Sequence, residues 1–157
     1  MTLPNVWVRR GVALLFLGTL SALASGCGGA SAEQPTARWL EVKIEYAMAV
    51  TAEATLDPTQ DVFFIVTLGN ESKRIPDSGV FKLPPDGQWH DVQKSAFFFL
   101  NNPSIRVPLN IVMYDDDGVQ THRLFDAGTL VINPQDPLNS FIRQNEEYGI
   151  KFSAKLL

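Results

Sequence analysis

Few residues in this chain have the types and spacing that chemistry needs. Among its 157 residues there is one cysteine, Cys27, and there are two histidines, His90 and His122. As the only thiol, Cys27 has no disulfide partner in the chain, and an unpaired cysteine in an exported protein needs another explanation. The histidines fall in unrelated loops and read as surface residues rather than as ligands or bases. Asp91 beside His90 is too generic to make a catalytic dyad, and Glu146-Glu147 reads as a solvated turn. There is no Gly-x-Ser-x-Gly elbow, no His-Glu-x-x-His and no phosphate-binding glycine loop. The strongest concentration of polar chemistry is Asp115-Asp116-Asp117-Gly118. Its plainest reading is a turn whose aspartate side chains bond the local backbone. An enzyme is not expected.

The surroundings of Cys27 supply its explanation. Arg9 and Arg10 precede an uncharged stretch from Gly11 to Gly26, which ends in small residues. A positive end, an apolar core and a small-residue exit make a secretory signal peptide. Gly11 to Ala24 is short for a membrane-spanning helix, which takes about 20 apolar residues; an uncleaved anchor is the alternative. Leu23-Ala24-Ser25-Gly26-Cys27 resembles the lipobox of bacterial lipoproteins, with Ala24 where Leu is usual. That resemblance implies cleavage before Cys27 and acylation of its thiol. Gly28 after the cysteine implies the outer membrane, with the domain facing the periplasm. Residues 1–26 are then the signal peptide, and 27–37 the lipidated cysteine and a flexible polar tether. Residues 38–157 form one domain.

Loss of Arg9 and Arg10 would leave 11 Lys and Arg against 17 Asp and Glu, a net charge of −6. An acidic domain does not suit nucleic acid or a bare anionic surface. With no disulfide available, the fold must rest on packing, and nine phenylalanines follow the signal segment.

Period-two patterning points to strands. In Trp39 to Tyr46, the apolar Val42, Ile44 and Tyr46 alternate with Glu41, Lys43 and Glu45. Asp61 to Leu68, Phe97 to Leu100, Pro108 to Asp115, Ala127 to Ile132 and Ile150 to Leu156 are further strand candidates, and Lys73 to Ile75 is a short return strand. Pro137 to Arg143 suggests one or two helical turns. Gly, Pro, Asn and Asp turns separate the runs, which predicts a single all-β antiparallel sandwich of seven to eight strands.

The order of motifs resembles a C2 domain. The residues that carry the likeness are the run Asp61-Val62-Phe63-Phe64-Ile65-Val66-Thr67-Leu68, Trp89 before Phe97-Phe98-Phe99, Tyr114-Asp115-Asp116-Asp117, and Ala127-Gly128-Thr129-Leu130. Many C2 domains bind Ca²⁺ through aspartates of two loops. The resemblance implies Asp61, Asp115 and Asp117 as ligands, with Asp57 and Asp126 as substitutes near other expected positions. Ca²⁺ takes 6–8 oxygen ligands, and Asp115 and Asp117 point the same way at a strand end. Thr55 stands where another aspartate is usual, and Arg123 lies six residues after Asp117. Arg123 is therefore a candidate internal counter-charge that would remove the need for Ca²⁺. The function implied is a membrane-anchored, non-catalytic binding module for a protein partner, a lipid headgroup or Ca²⁺. The alternative is an assembly component resembling the lipoprotein subunit of type VI secretion systems.

Overall fold

A computed structural model describes residues 36–50, 59–137 and 139–157. Cys27, Thr55 and Asp57 lie outside the described residues, as do the signal segment and nearly all of the tether.

Alternating apolar residues build ten strands. They are β1 (Arg38–Ala49), β2 (Gln60–Leu68), β3 (Glu71–Ile75), β4 (Phe81–Leu83), β5 (His90–Leu100), β6 (Val107–Asp116), β7 (Thr121–Asp126), β8 (Leu130–Ile132), β9 (Ser140–Gln144) and β10 (Tyr148–Leu156). One sheet has the order β5-β1-β10-β9. The other has the order β3-β2-β6-β7, with β4 paired to β2 and β8 to β6. Every pairing is antiparallel. The two inner faces meet in one core whose largest fully buried side chains include Phe64, Phe98, Phe152, Leu40, Ile111 and Ile150. The all-β antiparallel sandwich is as expected; the strand number exceeds seven to eight because short edge strands such as β4 and β9 carry too few residues to show a period.

Three local expectations are corrected. Pro137 to Arg143 makes no helical turn among its described residues; Ser140–Gln144 is β9. Phe141 packs against Phe152 with ring centroids 5.2 Å apart, so sheet pairing and an aromatic contact decide the conformation. Ala127 to Ile132 is not one strand. Gly128 has φ 73° and donates its N–H to Asp126 Oδ1 at 2.8 Å, so β7 stops at Asp126 and the run becomes a strand only at Leu130, as β8. Both pieces still pair with β6. Tyr46 does not continue the inward face of Val42 and Ile44. A bulge between Ile44 and Tyr46 shifts the register with both neighbours, so Ala47 and Ala49 turn inward instead. Opposite it, Gln93 adopts φ 50°, and its Nε2 donates to Glu45 O at 3.1 Å. Two residues against one, with the extra residue pinned by a side chain, is how a bulge re-aims a strand.

The strand directions give the sandwich two ends. At one end the chain enters β1 through Arg38, β5 finishes at Leu100 and β10 finishes at Leu156. At the other end β1 finishes, β2 begins and the β6–β7 hairpin turns, so Asp61 and Asp115 to Asp117 lie together.

Candidate functional site: the acidic end of the sandwich

β2 and β6 position the first carboxylates. Val62 lies directly opposite Asp115, so Asp61 and Asp115 sit within one residue of each other across the sheet. Asp115 shares the inward face of Ile111 and Met113 and is buried. A buried carboxylate needs hydrogen-bond donors, and the Asp61 N–H donates to Asp115 Oδ1 at 3.0 Å. Beside it, buried Gln60 donates from Nε2 to the hydroxyl of buried Tyr148 on β10 at 3.1 Å, tying the two sheets together beneath the loops.

The other carboxylates have side-chain partners of their own. Asp61 pairs with Lys82, its register partner on β4. Asp116 Oδ2 is 3.7 Å from an Arg74 guanidinium nitrogen on β3. Asp117 Oδ2 is 3.5 Å from His122 Nε2. The hairpin is closed by Asp117 N–H donating to Gln120 O at 3.2 Å and Gly118 N–H donating to Asp116 Oδ1 at 3.2 Å. Gly118 has φ 76°, a conformation few other residues adopt freely.

Asp126 does not join this group. It lies opposite Val112, three residues along β6 from Asp115, a displacement of about 10 Å. Its carboxylate accepts from Arg123, from Asn110 Nδ2 at 2.8 Å and from Gly128 N–H. Arg123 thus neutralises Asp126 rather than Asp115 or Asp117. Among the described residues, no three His, Cys, Asp or Glu side chains converge as a metal site would require. Asp61, Asp115 and Asp117 are brought to one end, but their carboxylates are directed to separate protein partners.

Sequence reasoning assigned no part to Lys82, Arg74 or His122 in this network. Arg74 has a second contact: its guanidinium carbon is 4.2 Å from the Phe63 ring centroid, and Phe63 stacks on Tyr114 at 5.3 Å. The signal that could have found it is the short return strand, which puts Arg74 opposite Ile65 and beside the Phe63 column.

The neighbouring β4–β5 turn carries a separate pair. His90 Nε2 is 2.9 Å from Asp86 Oδ1, and Gln88 N–H donates to the same oxygen at 2.9 Å. The hydrogen bond with His90, followed by that from Gln88, holds the Asp86 carboxyl below its ordinary value. Trp89 lies against Gly149, and Lys151 Nζ sits 4.1 Å from its ring centroid.

No protein-family model matches the sequence, and no curated protein matches it. Solved structures do resemble the sandwich. Human GIVD cytosolic phospholipase A2, in complex with methyl gamma-linolenyl fluorophosphonate inhibitor and terbium chloride, superposes with TM-score 0.57 at 16% identity. The match covers 78% of this chain and 17% of the phospholipase, so this chain spans about a sixth of that protein's length. A C2 domain of plant Extended Synaptotagmin 1 superposes with TM-score 0.53 at 14% identity, covering 76% of this chain and 93% of that domain. The fold is a C2-like β-sandwich.

Proposed function

We propose that this chain is a bacterial envelope lipoprotein, acylated at Cys27, whose C2-like sandwich is a non-catalytic binding module held at the outer membrane facing the periplasm. The sequence around Cys27 supports the anchor. The observation that carries the rest is the pairing of Asp61 with Lys82, Asp116 with Arg74 and Asp117 with His122. Asp61 and Asp116 act as partners of the chain's own cations, and Asp117 faces an imidazole. A surface balanced in this way recognises a partner by shape and charge without first recruiting Ca²⁺. Tethering also raises the effective concentration of the module near its membrane, so a weak interaction suffices.

Two experiments test the reading. Cys27→Ser should move the protein out of the membrane fraction; retention there would make the uncleaved apolar stretch the anchor instead. A melt of residues 28–157 in millimolar Ca²⁺ and in EGTA should give one midpoint. A rise with Ca²⁺ that Asp115→Asn/Asp117→Asn abolishes would establish a calcium site at these aspartates. Capture of an inner-membrane secretion component by the full-length protein would turn the reading towards an assembly role.

A further inference from the structure

The entry end of the sandwich, opposite the acidic loops, collects exposed apolar side chains. Trp39 and Phe99 are each about half exposed, at 49% and 50%, and make an edge-to-face pair at 5.3 Å. They are register partners on the outer face of the β1–β5 pair. Phe97, 44% exposed, follows on the same face one step along β5. Ile105, 57% exposed, stands in the loop after β5. Leu157, 52% exposed, bonds through its N–H to Trp39 O at 2.9 Å. Five large apolar groups thus remain in water at this end, in a domain that buries Phe64, Phe98, Phe125 and Phe152 in its core. A contiguous exposed apolar patch on a small domain marks a surface that meets something.

Charge is distributed to match. Arg38 and Lys155 line an open cleft of about 720 Å³ at this end, beside Pro103, Ser104 and Asp136. Arg106 lies in the same β5–β6 loop as Ile105. Glu71 at this end is paired with Lys73 at 3.1 Å. The balance of charge here is basic, whereas the far end, after the Asp61–Lys82 and Asp116–Arg74 pairs, still carries Asp86, Asp115, Asp117, Glu146 and Glu147.

We propose that this corner, centred on Trp39, Phe97 and Phe99 with Arg38 and Lys155 beside them, docks on the surface of the lipid bilayer that holds the chain. The inference rests on acylation of Cys27. Trp39 is the twelfth residue after Cys27, and a fully extended chain of that length reaches about 40 Å at most. The tether therefore keeps the entry end within reach of the membrane. Tryptophan and its aromatic neighbours favour the headgroup boundary, where the ring is shielded and the indole N–H stays hydrated. Arginine and lysine beside them meet lipid phosphates. A bare bilayer would repel the acidic domain as a whole; the basic, apolar corner is the part of it that a lipid surface within the tether's reach would accept.

The test uses the full-length acylated protein reconstituted into phosphatidylethanolamine–phosphatidylglycerol vesicles containing lipids brominated near the headgroup. The Trp39 contribution is the emission lost in Trp39→Phe. That contribution should fall by about twofold or more in brominated vesicles, while Trp89 emission stays unchanged. Phe97→Glu/Phe99→Glu changes two exposed positions and should preserve the circular dichroism spectrum and melting midpoint, yet abolish the quenching while the protein still floats with the vesicles. Flotation without Trp39 quenching in the wild type overturns the docking and leaves the anchor standing. So does quenching that survives the double substitution, or a cross-link between Trp39 corners of two copies in unquenched protein. Failure to float overturns the anchor and the docking together.

Discussion

The carboxylate of Asp115 is buried at the end of β6 and accepts the Asp61 N–H, whereas that of Asp117, two residues on, is exposed beside His122. The two aspartates look equivalent in sequence but should behave differently. Asp115→Ala leaves a donor without its acceptor and should lower stability by about 1–3 kcal/mol. Asp117→Ala removes an exposed pair and should change stability by less than about 1 kcal/mol. Urea unfolding of both variants checks this, and equal losses would contradict it. Asp86 supplies a titration. Its folded-state pKa lies below the ordinary value, so its contact with His90 contributes stability above the unfolded-state pKa and loses it as pH falls through the lower folded value. His90→Ala should raise the Asp86 titration midpoint, followed by carboxyl NMR. The aspartates themselves were legible from sequence; their partners were not. Lys82 is 21 residues from Asp61, and Arg74 is 42 from Asp116. Strand register sets those distances, and spacing along the chain does not reveal it. Arg123 shows the same effect: six residues after Asp117, it is carried by β7 to Asp126 instead.

Strands with long apolar runs were readable because burial on one or both faces imposes a period that no turn imitates. β2, β6 and β10 are of this kind, and each begins or ends within a few residues of its expected limit. β9 was not readable, because five residues between a proline-containing loop and a tight turn show no period and depend on pairing with β10. The bulge at Glu45 was also hidden, since the alternation through Tyr46 is unbroken in sequence. What compels the shift is the fit of β1 between β5 and β10, both of which change register there. Gly149 is the element-scale counterpart on β10. A Cβ there would come 2.7 Å from Trp89 Cη2, with Gln144 and Met48 also close. Gly149→Ala should therefore cost about 1–3 kcal/mol and alter the Trp89 emission spectrum. An unchanged melting midpoint with unchanged emission would show that Trp89 moves aside freely.

At the scale of the molecule, the two sheets close on one core that lacks any disulfide to hold it. Phe152 is fully buried in it and stacked on Phe141. Phe152→Ala should destabilise the sandwich by about 3–5 kcal/mol, visible as a lower midpoint in a single unfolding transition. Fold class was legible in the sequence because apolar periodicity and turn residues agree along nearly the whole domain. The surface at the entry end was not, because Trp39, Phe97 and Phe99 alternate like core residues, and only the sheet decides which face is covered. β1 joins that surface to the acidic loops. It has 12 residues, and at about 3.3 Å each it sets the two ends roughly 40 Å apart. Electrostatic influence fades over about 8 Å at physiological ionic strength. With the entry end resting on lipid, the strand works as a stand-off. It lifts the acidic loops several screening lengths clear of the bilayer's own charge, so whatever meets them does so as it would in open solution.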